Sequence, residues 1–81
     1  METTIKMYGT KWCPDCARSK RVFEKCKVGY EWIDIEGDKQ AAARVVQVTG
    51  GYRSVPTILF PDGSVLVEPA DSVLEKKLKD L

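Results

Sequence analysis

Apolar and polar positions alternate near the start of the chain. Ile5 and Met7 fall on one side, Lys6 and Tyr8 on the other, so Thr4–Tyr8 is expected to be a strand. Gly9-Thr10-Lys11 follows as a short loop. From Cys13 or Pro14 to about Lys27 the period becomes helical. Cys16, Ser19, Val22, Phe23 and Cys26 trace one face, and Arg18, Arg21, Glu24, Lys25 and Lys27 fill the others. Pro14 suits the first helical position, where a missing N–H costs nothing, and Gly29 is expected to end the segment. Tyr30–Ile35, rich in aromatic and β-branched residues, reads as a second strand. Asp38 is the expected N-cap of a second helix with the apolar stripe Ala42, Val45, Val46 and Thr49, closed by Gly50-Gly51. Thr57–Phe60, the turn Pro61-Asp62-Gly63 and Ser64–Val67 read as a β-hairpin. Pro69 breaks it. Ser72 with Glu75 matches a capping box, and Leu74, Leu78 and Leu81 form the buried stripe of a last helix.

The order is β-α-β-α-β-β-α, an α/β arrangement. The first β-α-β should be a parallel, right-handed crossover unit, and the hairpin should add two strands to the same sheet. The expected product is a four-stranded mixed sheet flanked by helices on both faces. No repeat or linker interrupts the pattern, so residues 1–81 are expected to form a single domain.

With 81 residues, the chain supports one modest core, burying roughly 60% of the unfolded surface. A 43% hydrophobic and 31% charged composition fits a globular domain. Thirteen basic against 12 acidic residues leave a net charge of +1, which points to neither nucleic acid nor an anionic membrane as a partner. No apolar run approaches a membrane span. The segment from Met1 to Lys6 lacks a secretory pattern. A cytoplasmic monomer is expected.

The candidate chemistry is in Cys13-Pro14-Asp15-Cys16. Cysteines at i and i+3 on a first helical turn lie side by side and can close a disulfide with little backbone change. Cys13 sits where unpaired N–H groups and the helix dipole favour a negative charge, which stabilises the nucleophilic thiolate. Cys16, one turn inside, should be less exposed. Cys13 is therefore expected to attack a substrate disulfide and Cys16 to resolve the mixed disulfide. Asp15 should oppose ionisation of Cys13 and Lys11 should favour it. The chain has no His and only three Cys, which excludes Cys-His and Ser-His-Asp catalysis and leaves too few ligands for a zinc site. Cys26 falls on the apolar helix face and reads as a small packed hydrophobe. Trp12 reads both as an aromatic packed beneath the loop and as a partner surface beside Cys13, and Trp32 as core. A cis Val55-Pro56 bond before the third strand would leave the Val55 backbone free to pair with an extended substrate segment.

Cys-Pro-Asp-Cys after the first strand, Arg53-Ser54-Val55-Pro56 before the third and Asp62-Gly63 in the hairpin resemble the glutaredoxin-like branch of the thioredoxin fold over nearly the whole chain. Within it, Gly50-Gly51-Tyr52-Arg53-Ser54-Val55-Pro56-Thr57 and Phe60-Pro61-Asp62-Gly63-Ser64 look most like the mycoredoxins, actinobacterial proteins that act on mycothiol mixed disulfides. The resemblance implies catalytic Cys13 and Cys16, a cis Pro56 facing them, and thiol-substrate contacts from Lys11, Trp12, Arg53, Ser54, Val55, Pro56 and Asp71. It implies no bound cofactor or metal. Mycothiol or glutathione would be the co-substrate, and disulfide-containing proteins and a thioredoxin or thiol-disulfide reductase the partners. The chain departs from the glutaredoxin pattern at Asp15, where Tyr is usual, at Thr10, where Lys is usual, and at Val67-Glu68, where a glycine pair is usual. The alternatives are a glutaredoxin-like electron donor to ribonucleotide reductase, recharged by thioredoxin reductase, and, from a different class, an iron–sulfur cluster carrier, against which Pro14 counts by resemblance.

Overall fold

The computed structural model describes residues 4–81; residues 1–3, where the segment read for a targeting pattern begins, lie outside the described residues. The elements are β1 (Lys6–Gly9), α1 (Pro14–Cys26), β2 (Glu31–Asp34), α2 (Lys39–Thr49), β3 (Thr57–Leu59), β4 (Val65–Val67) and α3 (Asp71–Lys79). This is the expected order, with strand ends trimmed or shifted by one or two residues.

Met7 and Tyr8 show how the layers form. They are neighbours on β1, so their side chains leave opposite faces of the sheet. Met7 is buried with Val22 and Phe23 of α1, Ile58 of β3, and Leu74 and Leu78 of α3. Tyr8 is buried with Ile35 and with Ala41 and Val45 of α2. The strand order is β2-β1-β3-β4. β1 runs parallel to β2, with Met7 opposite Trp32, and antiparallel to β3, with Met7 opposite Ile58. β3 and β4 form the antiparallel hairpin, with Ile58 opposite Leu66. The sheet is therefore mixed and four-stranded. No helix among the described residues is long and apolar enough to cross a membrane.

Several local expectations give way to tertiary packing. α1 ends before Gly29, with Lys27 in the left-handed region at φ 57°. The Val28 N–H reaches back to the Phe23 carbonyl at 3.1 Å, and Val28 packs on the core. Burying Val28 sets the turn, and Lys27 carries its steric cost. On α2 the buried positions are Ala41 and Val45. Asp38 does cap this helix, its Oδ1 accepting from the Ala41 N–H at 3.0 Å.

At α3 the Ser72–Glu75 capping box does not form. The N-cap is Ala70, which makes no side-chain cap bond, and Glu75 instead pairs with Lys25 and Lys79. Burial of Leu74 and Leu78 fixes this helix. Leu81 lies past its end and is 62% exposed, outside the expected stripe. Trp32 is half-buried at the edge of the core, with the Lys20 ammonium 3.6 Å above its ring.

Phe23 and Leu81 test this division. Phe23→Ala empties a site with 0% exposure and should cost about 3–5 kcal/mol in urea denaturation. Leu81→Ala should stay within about 0.5 kcal/mol of the parent. An equal loss in both would place Leu81 in the core.

Candidate active site

Cys13 is the N-cap of α1, with extended backbone at φ −82° and ψ 117°. Pro14 follows in the first turn, where its missing N–H leaves no bond unmade. The Cys13 sulfur takes the capping role usually given to an oxygen: it accepts the Cys16 N–H at 3.4 Å. Its own S–H points to the Val55 carbonyl oxygen at 3.8 Å. Cys13 is half-buried, and Cys13, Cys16 and Cys26 are all free thiols.

Cys16 has a different environment. It is 1% exposed and sits against the end of β1. Only a glycine fits there, because a β-carbon at Gly9 would stand 2.5 Å from the Cys16 sulfur and 2.7 Å from the Trp32 ring. Burial pushes the Cys16 thiol up to about 12 from its ordinary 9.0. Hydrogen bonding with Cys13 and its charge add to the rise, and a backbone hydrogen bond at Thr10 and the charge of Lys20 oppose it. The Thr10 hydroxyl is buried and has no hydrogen-bond partner among the described residues.

The second wall is the segment before β3. The Val55–Pro56 peptide bond is cis, and Pro56 is fully buried. Thr49 Oγ1 accepts the Tyr52 N–H at 3.0 Å, and Thr57 Oγ1 donates to the Ser54 carbonyl at 2.6 Å. The Pro56 carbonyl accepts the Glu68 N–H at 2.8 Å. Hydrogen bonds on both sides thus hold Val55 beside Cys13.

Of the residues singled out from the sequence, Cys13, Cys16, Val55 and Pro56 come together here. Lys11, Trp12 and Arg53 are exposed on the flanking loops, and Ser54 is half-buried. Trp12, at 71% exposure, is not packed beneath the loop. Asp71 begins α3 and pairs with Arg18 at 3.2 Å. Arg18 also pairs with Asp15 at 3.2 Å, so it is not the plain solvated side chain its helix face suggested. The i,i+3 spacing of Asp15 and Arg18 is readable in sequence; the Asp71 contact, made between helices, is not. Gly9, expected in the loop after the strand, ends β1 and makes room for Cys16. Among the described residues no group of three or more His, Cys, Asp or Glu is placed to hold a metal.

The glutaredoxin family model matches residues 5–65. The chain belongs to the glutaredoxin family. A Mycobacterium tuberculosis protein provisionally named a glutaredoxin is 42% identical over 76 residues, covering 93% of this chain and 90% of the relative. Mycoredoxin 1 of Corynebacterium glutamicum is 29% identical over 79 residues, 98% of each chain. The solved structure of a glutaredoxin from Archaeoglobus fulgidus superposes with a TM-score of 0.76 at 28% identity, over 98% of this chain and 85% of that one. The expected glutaredoxin-like thioredoxin fold, close to the mycoredoxins, is therefore shown. The family relationship supports a thiol oxidoreductase role in general for this glutaredoxin.

Two predictions follow from the packing of Cys16. Gly9→Ala should destabilise the protein by about 1–3 kcal/mol through overpacking. Gly29→Ala, where the added carbon meets nothing within 4 Å among the described residues apart from its chain neighbours, should leave the melting temperature unchanged or slightly higher. Cys16 also adds a pH dependence. An unfolded chain ionises it near 9.0, whereas the folded chain keeps the proton to about 12. Its contribution is thus complete below pH 9.0 and is lost as pH rises toward 12. Cys16→Ala should flatten the alkaline limb of stability against pH; an unchanged limb would show that Cys16 titrates normally.

Proposed function

We propose that this glutaredoxin reduces disulfides, chiefly mixed disulfides between a protein and a low-molecular-weight thiol, by cycling Cys13 and Cys16 between dithiol and disulfide. The observation that carries this reading is the contrast between the two sulfurs. Cys13 caps a helix and is reachable, whereas Cys16 is buried behind it with its proton held. The Cys13 thiolate attacks one sulfur of the substrate disulfide. A Cys13–S bond forms, the substrate S–S bond breaks, and the leaving thiolate takes up a proton. Cys16 then gives up its proton and attacks the Cys13 sulfur. The intramolecular disulfide forms and the second substrate thiol departs.

The same environment supports this order. Part of what raises the Cys16 thiol comes from the charge and hydrogen bonding of Cys13. Both change once the Cys13 sulfur is bound in a mixed disulfide, so Cys16 becomes easier to ionise when its attack is needed. The Val55 N–H has no acceptor among the described residues, which suits pairing with an extended substrate segment. Two molecules of mycothiol or glutathione, themselves oxidised to the disulfide, would return the enzyme to the dithiol in the cytoplasm. Lys11, Trp12, Arg53, Ser54 and Asp71 are proposed to meet the thiol or the client protein.

The test is NADPH consumption on a model mixed disulfide. It is run with glutathione plus its reductase, with mycothiol plus its reductase, and with thioredoxin reductase alone. Cys13→Ser should lower turnover by about a thousandfold or more. Cys16→Ser should keep reaction with thiol mixed disulfides but lose dithiol reduction of protein disulfides. Full activity in Cys13→Ser would overturn the mechanism. Turnover only with thioredoxin reductase would move the protein to the electron-donor reading.

A further inference from the structure

Asp15 lies in the first turn of α1, between the two cysteines. A bare carboxylate there works against a negative sulfur on Cys13. The structure supplies its counter-charge. Arg18 places one terminal nitrogen 3.2 Å from Asp15 Oδ1 and its Nε 3.2 Å from Asp71 Oδ1, on the first residue of α3. One planar guanidinium is thereby held at two points by carboxylates from two helices.

Stability does not explain this arrangement well. The three side chains are 44%, 42% and 51% exposed, and exposed ion pairs contribute little. α1 and α3 are already joined by Val22, Phe23, Leu74 and Leu78 in the core. What the second anchor does is fix the direction of the guanidinium, so that it stays on Asp15.

We propose that Arg18 is a positioning residue for the thiol chemistry: held by Asp71, it neutralises Asp15 and keeps that carboxylate from opposing the Cys13 thiolate. The proposal rests on the reading of Cys13 as the attacking sulfur. Other charged or titratable groups on the elements that frame Cys13 are Lys11, Cys16, Lys20, Arg21, Glu24, Lys25 and Cys26 on its own segment and helix, and Tyr52 and Arg53 on the loop that carries Val55. None of these is ion-paired with Asp15 in the structure; Arg18 is.

The experiment is iodoacetamide alkylation across pH, read at Cys13 by mass spectrometry, on the full chain and its variants. Removing one neighbouring charge in a solvated setting should move the alkylation midpoint by about half a pH unit. Arg18→Ala should therefore raise the midpoint by that amount, slowing Cys13 about threefold below it. Arg18→Lys should stay near the parent. The double variant Asp15→Asn with Arg18→Ala should return to the parent midpoint, because the charge that needed neutralising is gone.

An unmoved midpoint in Arg18→Ala would overturn the proposal. So would a double variant that stays as high as Arg18→Ala alone. Asp71→Asn should raise the midpoint no further than Arg18→Ala does; a larger rise would overturn the role given to Asp71, since its effect would not pass through Arg18. Folding of each variant is checked by its melting curve, and Arg18→Gln, which removes the charge but keeps much of the side chain, takes the place of Arg18→Ala if that variant folds poorly. If Cys13→Ser keeps its turnover, the attacking-thiol reading fails whatever the alkylation profiles show. If it loses turnover while the profiles stay unmoved, only the role of Arg18 fails.

Discussion

The Cys16 sulfur and the Trp32 ring meet in the space that any side chain at position 9 would need. This close approach sets how α1 docks on the central strand. With Cys16 seated there, the helical repeat brings Ser19, Val22 and Phe23 down onto the sheet. Phe23 and Val22 then pack with Met7, Ile58, Leu74 and Leu78, so the seating of one sulfur and the burial of one core share a single register. The same register puts Cys13 at the N-cap, beyond the first turn, facing Val55. A glycine that contributes no side chain thus governs the relation between the two cysteines.

Much of this fold was legible because its periods are clean. Met7 and Tyr8 alternate between two covered faces, and α1 buries one stripe at helical spacing, Cys16, Ser19, Val22 and Phe23. Local signals failed where burial of a neighbour outweighed them. Ser72 and Glu75 spell a capping box, but Leu74 and Leu78 start the helix two residues earlier and Glu75 goes to Lys25 and Lys79. Gly29 looked like a stop, but the turn at Lys27 is what buries Val28. Leu81 continued a spacing whose helix had already ended.

At the site, the spacing of Cys13 and Cys16 and the Val55-Pro56 dipeptide could be read directly, since each is a local pattern. Gly9 could not, because nothing in a short polar loop announces which atoms will approach it. Arg18 was half-legible. Its pair with Asp15 follows from helical spacing, but its hold on Asp71 depends on how α1 and α3 pack, which no periodicity specifies.

The hydrogen bonds of Cys13 differ for its two protonation states. As a thiol it donates to the Val55 carbonyl at 3.8 Å, a long and weak contact. As a thiolate it has no proton to donate, and that carbonyl becomes an unfavourable neighbour. The Cys16 N–H, already aimed at the sulfur at 3.4 Å, becomes a charge-assisted donor instead. Deprotonation therefore weakens the tie to the loop and strengthens the tie to the helix. On that loop the Val55 N–H has no acceptor among the described residues. In the proposed reaction, an incoming disulfide would meet a sulfur held by the helix and released from the loop wall.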